Sequence, residues 1–265
     1  MTIARILVIA GSDSSGGAGI QADIRTITML GAHPMTAITA ITAQNTQGVQ
    51  GVHMLPADFV VKQAQSCISD IGVDAVKIGM LGSPDIAHAV ADLLEPLRVP
   101  IVFDPVMVAT SGAILADAET IAGFERLMAL AALTTPNLPE LEALGGEAVL
   151  REKTRALLIK GGHATGPQIE NRLVEGGDET IFVSPRIDTR HTHGTGCTLA
   201  SGIAAGLGAG LALREATGRA IRFVEQAIAH VPGLGHGGGP LGHAMGRVPF
   251  DDMRPIADQG WAGGN

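Results

Sequence analysis

Ile6-Leu7-Val8-Ile9-Ala10-Gly11-Ser12-Asp13-Ser14-Ser15-Gly16-Gly17-Ala18-Gly19-Ile20-Gln21-Ala22-Asp23 is the stretch from which the fold is read. Ile6–Ala10 is an unbroken apolar run of strand length, and Ile20, Ile24, Ile27 and Leu30 place one apolar stripe on a helix. The small-residue turn between them lacks the Lys-Ser/Thr of a P-loop and the spacing of a dinucleotide fingerprint. A strand passing straight into a helix is the unit from which parallel sheets are built. The same alternation continues along the chain. Strands are expected at Pro34–Ala40, Ala75–Met80, Ile101–Asp104, Leu133–Thr135 and Ala156–Lys160, with helices at Asp58–Ile71, Pro84–Leu97 and Asp117–Ala129. A parallel sheet covered on both faces follows, with ligands at the carboxyl ends of its strands.

The pattern changes at Arg172–Ser184, where two apolar runs flank Glu175-Gly176-Gly177-Asp178-Glu179, the sequence of a β-hairpin on a sheet edge. Helices over Thr198–Ala209 and Arg214–His230 complete the domain, and Gly233–Asn265, rich in Gly and Pro, reads mostly as loop. Nothing divides the chain, so a single domain over 1–245 with a tail over 246–265 is expected. Of the 265 residues 46% are hydrophobic and 3% aromatic, so aliphatic side chains must fill the interior. A net charge of −8 with four lysines argues against a nucleic-acid partner. Cys67 and Cys197 show no metal-ligand spacing. The first residues turn polar by Ser12, too early for a signal peptide or membrane span, which sets a cytoplasmic enzyme as the expectation.

Polar residues at strand ends carry the chemistry. In Arg190-His191-Thr192-His193-Gly194-Thr195-Gly196-Cys197-Thr198, two glycines run into a small-residue helix, aiming amides and a positive dipole end at one spot. The thiol of Cys197 then sits where a helix start favours loss of its proton. An anion hole with a base inside it suggests phosphoryl transfer. Asp104 closes an apolar strand, and Glu140 follows the next through Thr135-Pro136-Asn137. Together they could hold Mg²⁺ through water, though an acid in a helix's first turn is also ordinary. Lys160 ends a strand before Gly161-Gly162 and suits phosphate oxygens. Gln44, in Thr42-Ala43-Gln44-Asn45-Thr46, could pair both a ring nitrogen and an exocyclic amine, or simply cap a loop. Met80 reads as core. His191, His193, His230, His236 and His243 read as loop histidines, not metal ligands.

With these residues laid out, the chain resembles the hydroxymethylpyrimidine/phosphomethylpyrimidine kinases of thiamin biosynthesis, within the ribokinase-like superfamily, from about Ile6 to His243. The resemblance rests on the Ala10–Asp23 segment, Thr42–Thr46, Lys77-Ile78-Gly79-Met80-Leu81, Asp104-Pro105-Val106-Met107, Thr135-Pro136-Asn137, Ile159-Lys160-Gly161-Gly162-His163 and His193–Thr198. It implies a three-layer α/β/α fold and phosphorylation of 4-amino-5-hydroxymethyl-2-methylpyrimidine, then of its monophosphate, with ATP and Mg²⁺. By motif position Gly11, Asp23, Gln44, Met80 and Val106 would line the pyrimidine pocket. Cys197 would be the base, with Gly194, Thr195 and Gly196 forming the anion hole. Asp104 and Glu140 would support magnesium, and Lys160, Thr195 and His236 would meet ATP. Residues between about Leu207 and Gly239 would frame the adenine side. The resemblance also implies a homodimer, common among relatives. These usually carry a lysine in the Gly-rich segment where this chain has His236, so weaker or pH-dependent monophosphate binding is expected. The stretch from Leu144 to Lys160 is shorter than the family norm. A pyridoxal kinase of the same superfamily and a non-catalytic pyrimidine-binding relative are the alternatives.

Overall fold

A computed structural model of the chain describes residues 3–108 and 115–248. β1 (Arg5–Asp13) turns through the glycine-rich loop into α1 (Gly19–Met29), and β2 (His33–Asn45) folds back as β3 (Gly48–Met54). α2 (Ala57–Asp70), β4 (Ala75–Ile78), α3 (Pro84–Leu94), β5 (Ile101–Phe103), α4 (Ala118–Leu130) and β6 (Leu133–Thr134) continue the alternation. Two short helices, α5 (Leu138–Ala143) and α6 (Glu147–Lys153), lead to β7 (Ala156–Ile159). β8 (Gln168–Glu175), β9 (Asp178–Pro185), α7 (Thr195–Gly208) and α8 (Leu213–Ala229) follow.

Among the described residues, nine strands form one sheet in the order β3-β2-β1-β4-β5-β6-β7-β8-β9. The six central strands are parallel, while β3 pairs antiparallel with β2, and β8 and β9 add an antiparallel hairpin beyond β7. From β1 the chain moves outward to β2 and then returns to the other side of β1 as β4. The carboxyl ends of β1 and β4 therefore open a crevice between diverging connections, the usual place for a ligand in such sheets.

Period-two alternation in β1 serves both layers. Leu7 and Ile9 join Val60, Ile86, Val90, Leu94, Phe124 and Leu127 from α2, α3 and α4 on one face. Ile6, Val8 and Ala10 join Ile20, Ile27, Ile203, Ala216 and Ile221 from α1, α7 and α8 on the other. Local caps set the helix starts. Ser83 and Asp117 accept amides of α3 and α4, and Asn137 and Glu140 form a reciprocal capping box at α5. Among the described residues no helix is long and apolar enough to cross a membrane.

The structure bears out the mostly parallel sheet and the edge hairpin but changes three local readings. Thr42–Asn45 is not a strand-end loop: β2 runs through it and pairs with β3. β3 went unread because it is partly or fully exposed along its whole length, so no apolar run marks it. α7 begins at Thr195, three residues before the expected start, because Gly194 turns the chain into the helix. Of the expected tail, 249–265 lies outside the described residues.

The α7–α8 seam is built without side-chain bulk. A methyl at Gly202 would come within 2.9 Å of the Ala220 Cβ, and one at Gly206 within 2.8 Å of the Ala216 Cβ. Gly206→Val is expected to lower unfolding free energy by about 2 kcal/mol, the usual penalty for overpacking, as read from urea melts.

Candidate active site

One cavity of about 980 Å³ lies over the carboxyl ends of β1, β4, β5 and β7. Gly11, Gln44, Met80 and Val106 line it. So do Asp104, Glu140, Lys160 and the run Gly194–Cys197. The structure thus gathers residues far apart in sequence around one space. A methyl on Gly11 would sit 3.1 Å from the Met80 Cε, so the glycine lets this methionine lie across the strand end.

The start of α7 faces this cavity. Gly194 has φ 89°, in the left-handed region, and its backbone rests against the Gly17 carbonyl so closely that any Cβ would overlap it. The Thr195 amide closes a turn onto the Thr192 carbonyl at 3.3 Å, so its expected share in the anion hole is spent on the loop. The Gly196 and Cys197 amides are first-turn donors, which helix geometry leaves without an intrahelical acceptor. Gly196 lies against the acidic cluster: a methyl there would be 3.4 Å from the Lys160 Nζ and 3.6 Å from Asp104.

The Lys160 ammonium donates to Asp104 Oδ1 at 2.6 Å and lies 3.6 Å from Glu140 Oε2. Thr135 donates to the same Asp104 oxygen at 3.2 Å. Burial works against the Lys160 charge, but Asp104 and Glu140 outweigh it and hold its pKa above the ordinary lysine value. Two hard carboxylates already converge on one cation here. Among the described residues no group of three or more His, Cys, Asp or Glu could hold a metal. The pair therefore fits a magnesium ion that arrives with phosphate ligands better than a resident one.

Two expected site residues are relocated. Asp23 is not a wall of the cavity. It is fully buried behind Lys77, whose Nζ donates to both its oxygens at 3.0 Å, and Ser201 adds a third bond at 2.7 Å. A carboxylate on the buried face of α1 must be paired, and β4 supplies the cation. Burial opposes the Lys77 ammonium, yet the Asp23 charge outweighs it and raises its pKa. His236 is exposed on its loop and is not a wall of the cavity either.

Cys197 lines the cavity, but not as a ready thiolate. Burial pushes its pKa up to about 11, Lys77 pulls it down, and Asp23 and Asp104 push it further up. The helix start is outweighed by the cost of a buried anion beside two acids.

Asp13 and His193 were given no site role in the sequence, and His193 is no solvated loop histidine. It is buried, with Nε2 at 2.8 Å from Asp13 Oδ2. Asp13 also accepts from the Ser15 hydroxyl and amide and from the Gly17 and Ala18 amides. Burial raises the Asp13 pKa, but the bonds from His193, Ser15 and Ala18 outweigh it and bring it to about 2. An acid inside a glycine-rich turn was the available signal. Its histidine partner lies 180 residues away, and nothing local reveals it.

The family described as phosphomethylpyrimidine kinase matches residues 13–242. A thiamine biosynthesis bifunctional protein, ThiED, of Geobacter sulfurreducens is 47% identical over 91% of this chain, and the chain spans 52% of that protein's length. A hydroxymethylpyrimidine/phosphomethylpyrimidine kinase of Streptomyces coelicolor is 45% identical, over 90% of this chain and 93% of its own. Among solved structures, an ADP complex of Bacillus subtilis pyridoxal kinase superposes with a TM-score of 0.85 at 32% identity, covering 93% of this chain and 100% of that one. The ribokinase-like architecture expected from the sequence is the one observed.

The buried Lys77–Asp23 pair yields a stability test. Lys77→Met leaves the Asp23 carboxyl buried without its cation, at a cost of about 3–5 kcal/mol. Adding Asp23→Asn should recover most of that loss in urea melts, and no recovery would refute the charge pairing.

Proposed function

The chain belongs to the phosphomethylpyrimidine kinase family, and from that premise we propose that it transfers the γ-phosphoryl group of ATP to 4-amino-5-hydroxymethyl-2-methylpyrimidine and then to the resulting monophosphate. One observation carries the reading. A single cavity joins an amide-bearing wall at Gln44 to a thiol and helix start at Cys197, and onward to Asp104, Glu140 and Lys160. On this reading acceptor, transferring group and donor phosphates would share that one space.

Phosphoryl transfer asks for positioning and charge neutralisation more than for covalent help. The Gly196 and Cys197 amides, fixed at the start of α7, would face the developing charge, and one such donor is worth roughly 3 kcal/mol in a transition state. Asp104 and Glu140 would hold magnesium, which when bound neutralises charge on the phosphates. Lys160 would exchange its carboxylate partners for a phosphate oxygen. Cys197 would take the hydroxyl proton of the first acceptor as the O–P bond forms. With a pKa of about 11 its thiolate is the minor form at neutral pH and a strong base once present. The second acceptor is already a phosphate anion and needs no base. The same reading makes the enzyme a cytoplasmic homodimer. A second reading, with pyridoxal as acceptor, is supported by the likeness to pyridoxal kinase.

ADP release with the pyrimidine, its monophosphate and pyridoxal as separate acceptors tests the substrate, and no ADP with either pyrimidine would overturn the main reading. Cys197→Ala should slow the first step by roughly 10²- to 10⁴-fold, the usual worth of a general base, and the second by far less. Below pH 11 the thiolate fraction grows with pH. The first step of the unmodified enzyme should therefore speed up between pH 7 and 9, and the variant should lose that rise. Equal losses in both steps would remove Cys197 from the role of base.

A further inference from the structure

We propose that Lys77 is a positioning residue for Cys197: anchored on Asp23, its ammonium turns the positive end of a buried ion pair toward the sulfur and steadies it as an anion. That the sulfur acts as a base rests on the kinase reading above, whereas the direction of the pair rests on this chain alone.

Lys77 lies on β4, between β1 and β5 in the sheet, with no exposed surface. An ion so placed is tolerated only where its partner is fixed as well. Two helices fix it here. Asp23, from α1, accepts from Lys77 Nζ with both oxygens at 3.0 Å, and the Ser201 hydroxyl of α7 donates to Asp23 Oδ1 at 2.7 Å. The strand end leaves room for the cation: a methyl on Gly79 would come within 2.8 Å of Lys77 Nζ. An ammonium carries three hydrogens, and Asp23 takes at most two.

The pair has a front and a back. Lys77 is a wall of the cavity and Asp23 is not. Cys197 is also a wall, and it is partly exposed where Lys77 is sealed. It lies four residues before Ser201 on α7, so the thiol and the hydroxyl that holds Asp23 share one face of that helix. Inward from the cavity the order is therefore sulfur, ammonium, carboxylate. The electrostatics agree. Lys77 favours the Cys197 anion more than Asp23 opposes it, and the sulfur in turn favours the Lys77 charge.

Two other charged groups face the sulfur. Asp104, after β5, opposes its anion, and Lys160, after β7, attracts it. These two are bound to each other, with Glu140 nearby, and the kinase reading gives them new partners when phosphate and magnesium arrive. Lys77 and Asp23 are closed to solvent, so no ligand exchanges their partners. A neutral pair aimed by its positive end supports a thiolate without adding net charge to the site.

The test reads the alkylation rate of Cys197 by iodoacetamide at fixed neutral pH, peptide by peptide, without nucleotide or pyrimidine. A more acidic thiol is also a weaker nucleophile, so a tenfold change in thiolate appears as roughly threefold in rate. Asp23→Asn leaves the ammonium unopposed and should speed alkylation at least about threefold. Lys77→Met combined with Asp23→Asn removes both charges and should slow it, because the nearer, favourable pole is lost. A loosened structure would speed both, and Cys67, half-buried in the other layer, reports such loosening. Shifts of the same sign in the two variants, or no shift in either, overturn the proposal. If one variant does not fold, the other decides: its rate must move in the stated direction with Cys67 unchanged. Phosphorylation is measured separately. The neutral pair should slow the first step severalfold, and that effect should be lost in the Cys197→Ala background. Opposed alkylation shifts with an unaltered first step refute Cys197 as base and leave the direction of the pair standing, whereas alkylation that ignores both variants refutes the positioning itself.

Discussion

Two glycine backbones in contact, Gly17 and Gly194, decide where the rest of the site can stand. A Cβ on Gly194 would overlap the Gly17 carbonyl, and one on Gly17 would overlap the His193 ring. Only because both positions are bare can the loop after β1 and the start of α7 meet. Their meeting brings His193 to Asp13, and through His193 it reaches Gln44 on β2. The Gln44 wall and the start of α7 are thus one braced unit joined across 180 residues of sequence. In such a unit, donors and acceptors are set before any ligand arrives, which is the condition for electrostatic catalysis without reorganisation.

The lysines buried at the strand ends beneath the cavity are each paired. Lys77 is matched by Asp23, and Lys160 by Asp104 with Glu140 nearby. A buried ion left without a partner costs several kcal/mol, so each must have its own. The same balance explains the sulfur. Cys197 lies among groups of both signs, and burial decides in favour of the neutral thiol. Helix position alone would have suggested the reverse, because it leaves out the two acids nearby and the loss of water.

Much of this was legible in the sequence because the signals were local. The apolar runs of β1, β4 and β7 each end in a polar or glycine residue, and that punctuation located the ligand edge. The glycines ahead of Cys197 marked the start of α7 at the cavity for the same reason. What escaped notice was either exposed or non-local. β3 carries no apolar face, so periodicity is silent there. Asp23 lies one turn into an amphipathic helix, and only the arrival of Lys77 from β4 shows that it is support and not wall. His193 sits in a run of polar loop residues, and its burial is decided by Gly17 and Asp13, far away in the chain. Family likeness placed Asp23 in the wall by position, and the structure moved it behind Lys77.

The seam between α7 and α8 bears on the cavity as well. Gly202 and Gly206 let α8 lie so near that the two helices pack almost backbone to backbone. The helix that carries the Cys197 thiol is therefore an anvil packed onto the body of the protein. Whatever enters the cavity thus meets, at Cys197, a surface whose position is set by the packing behind it.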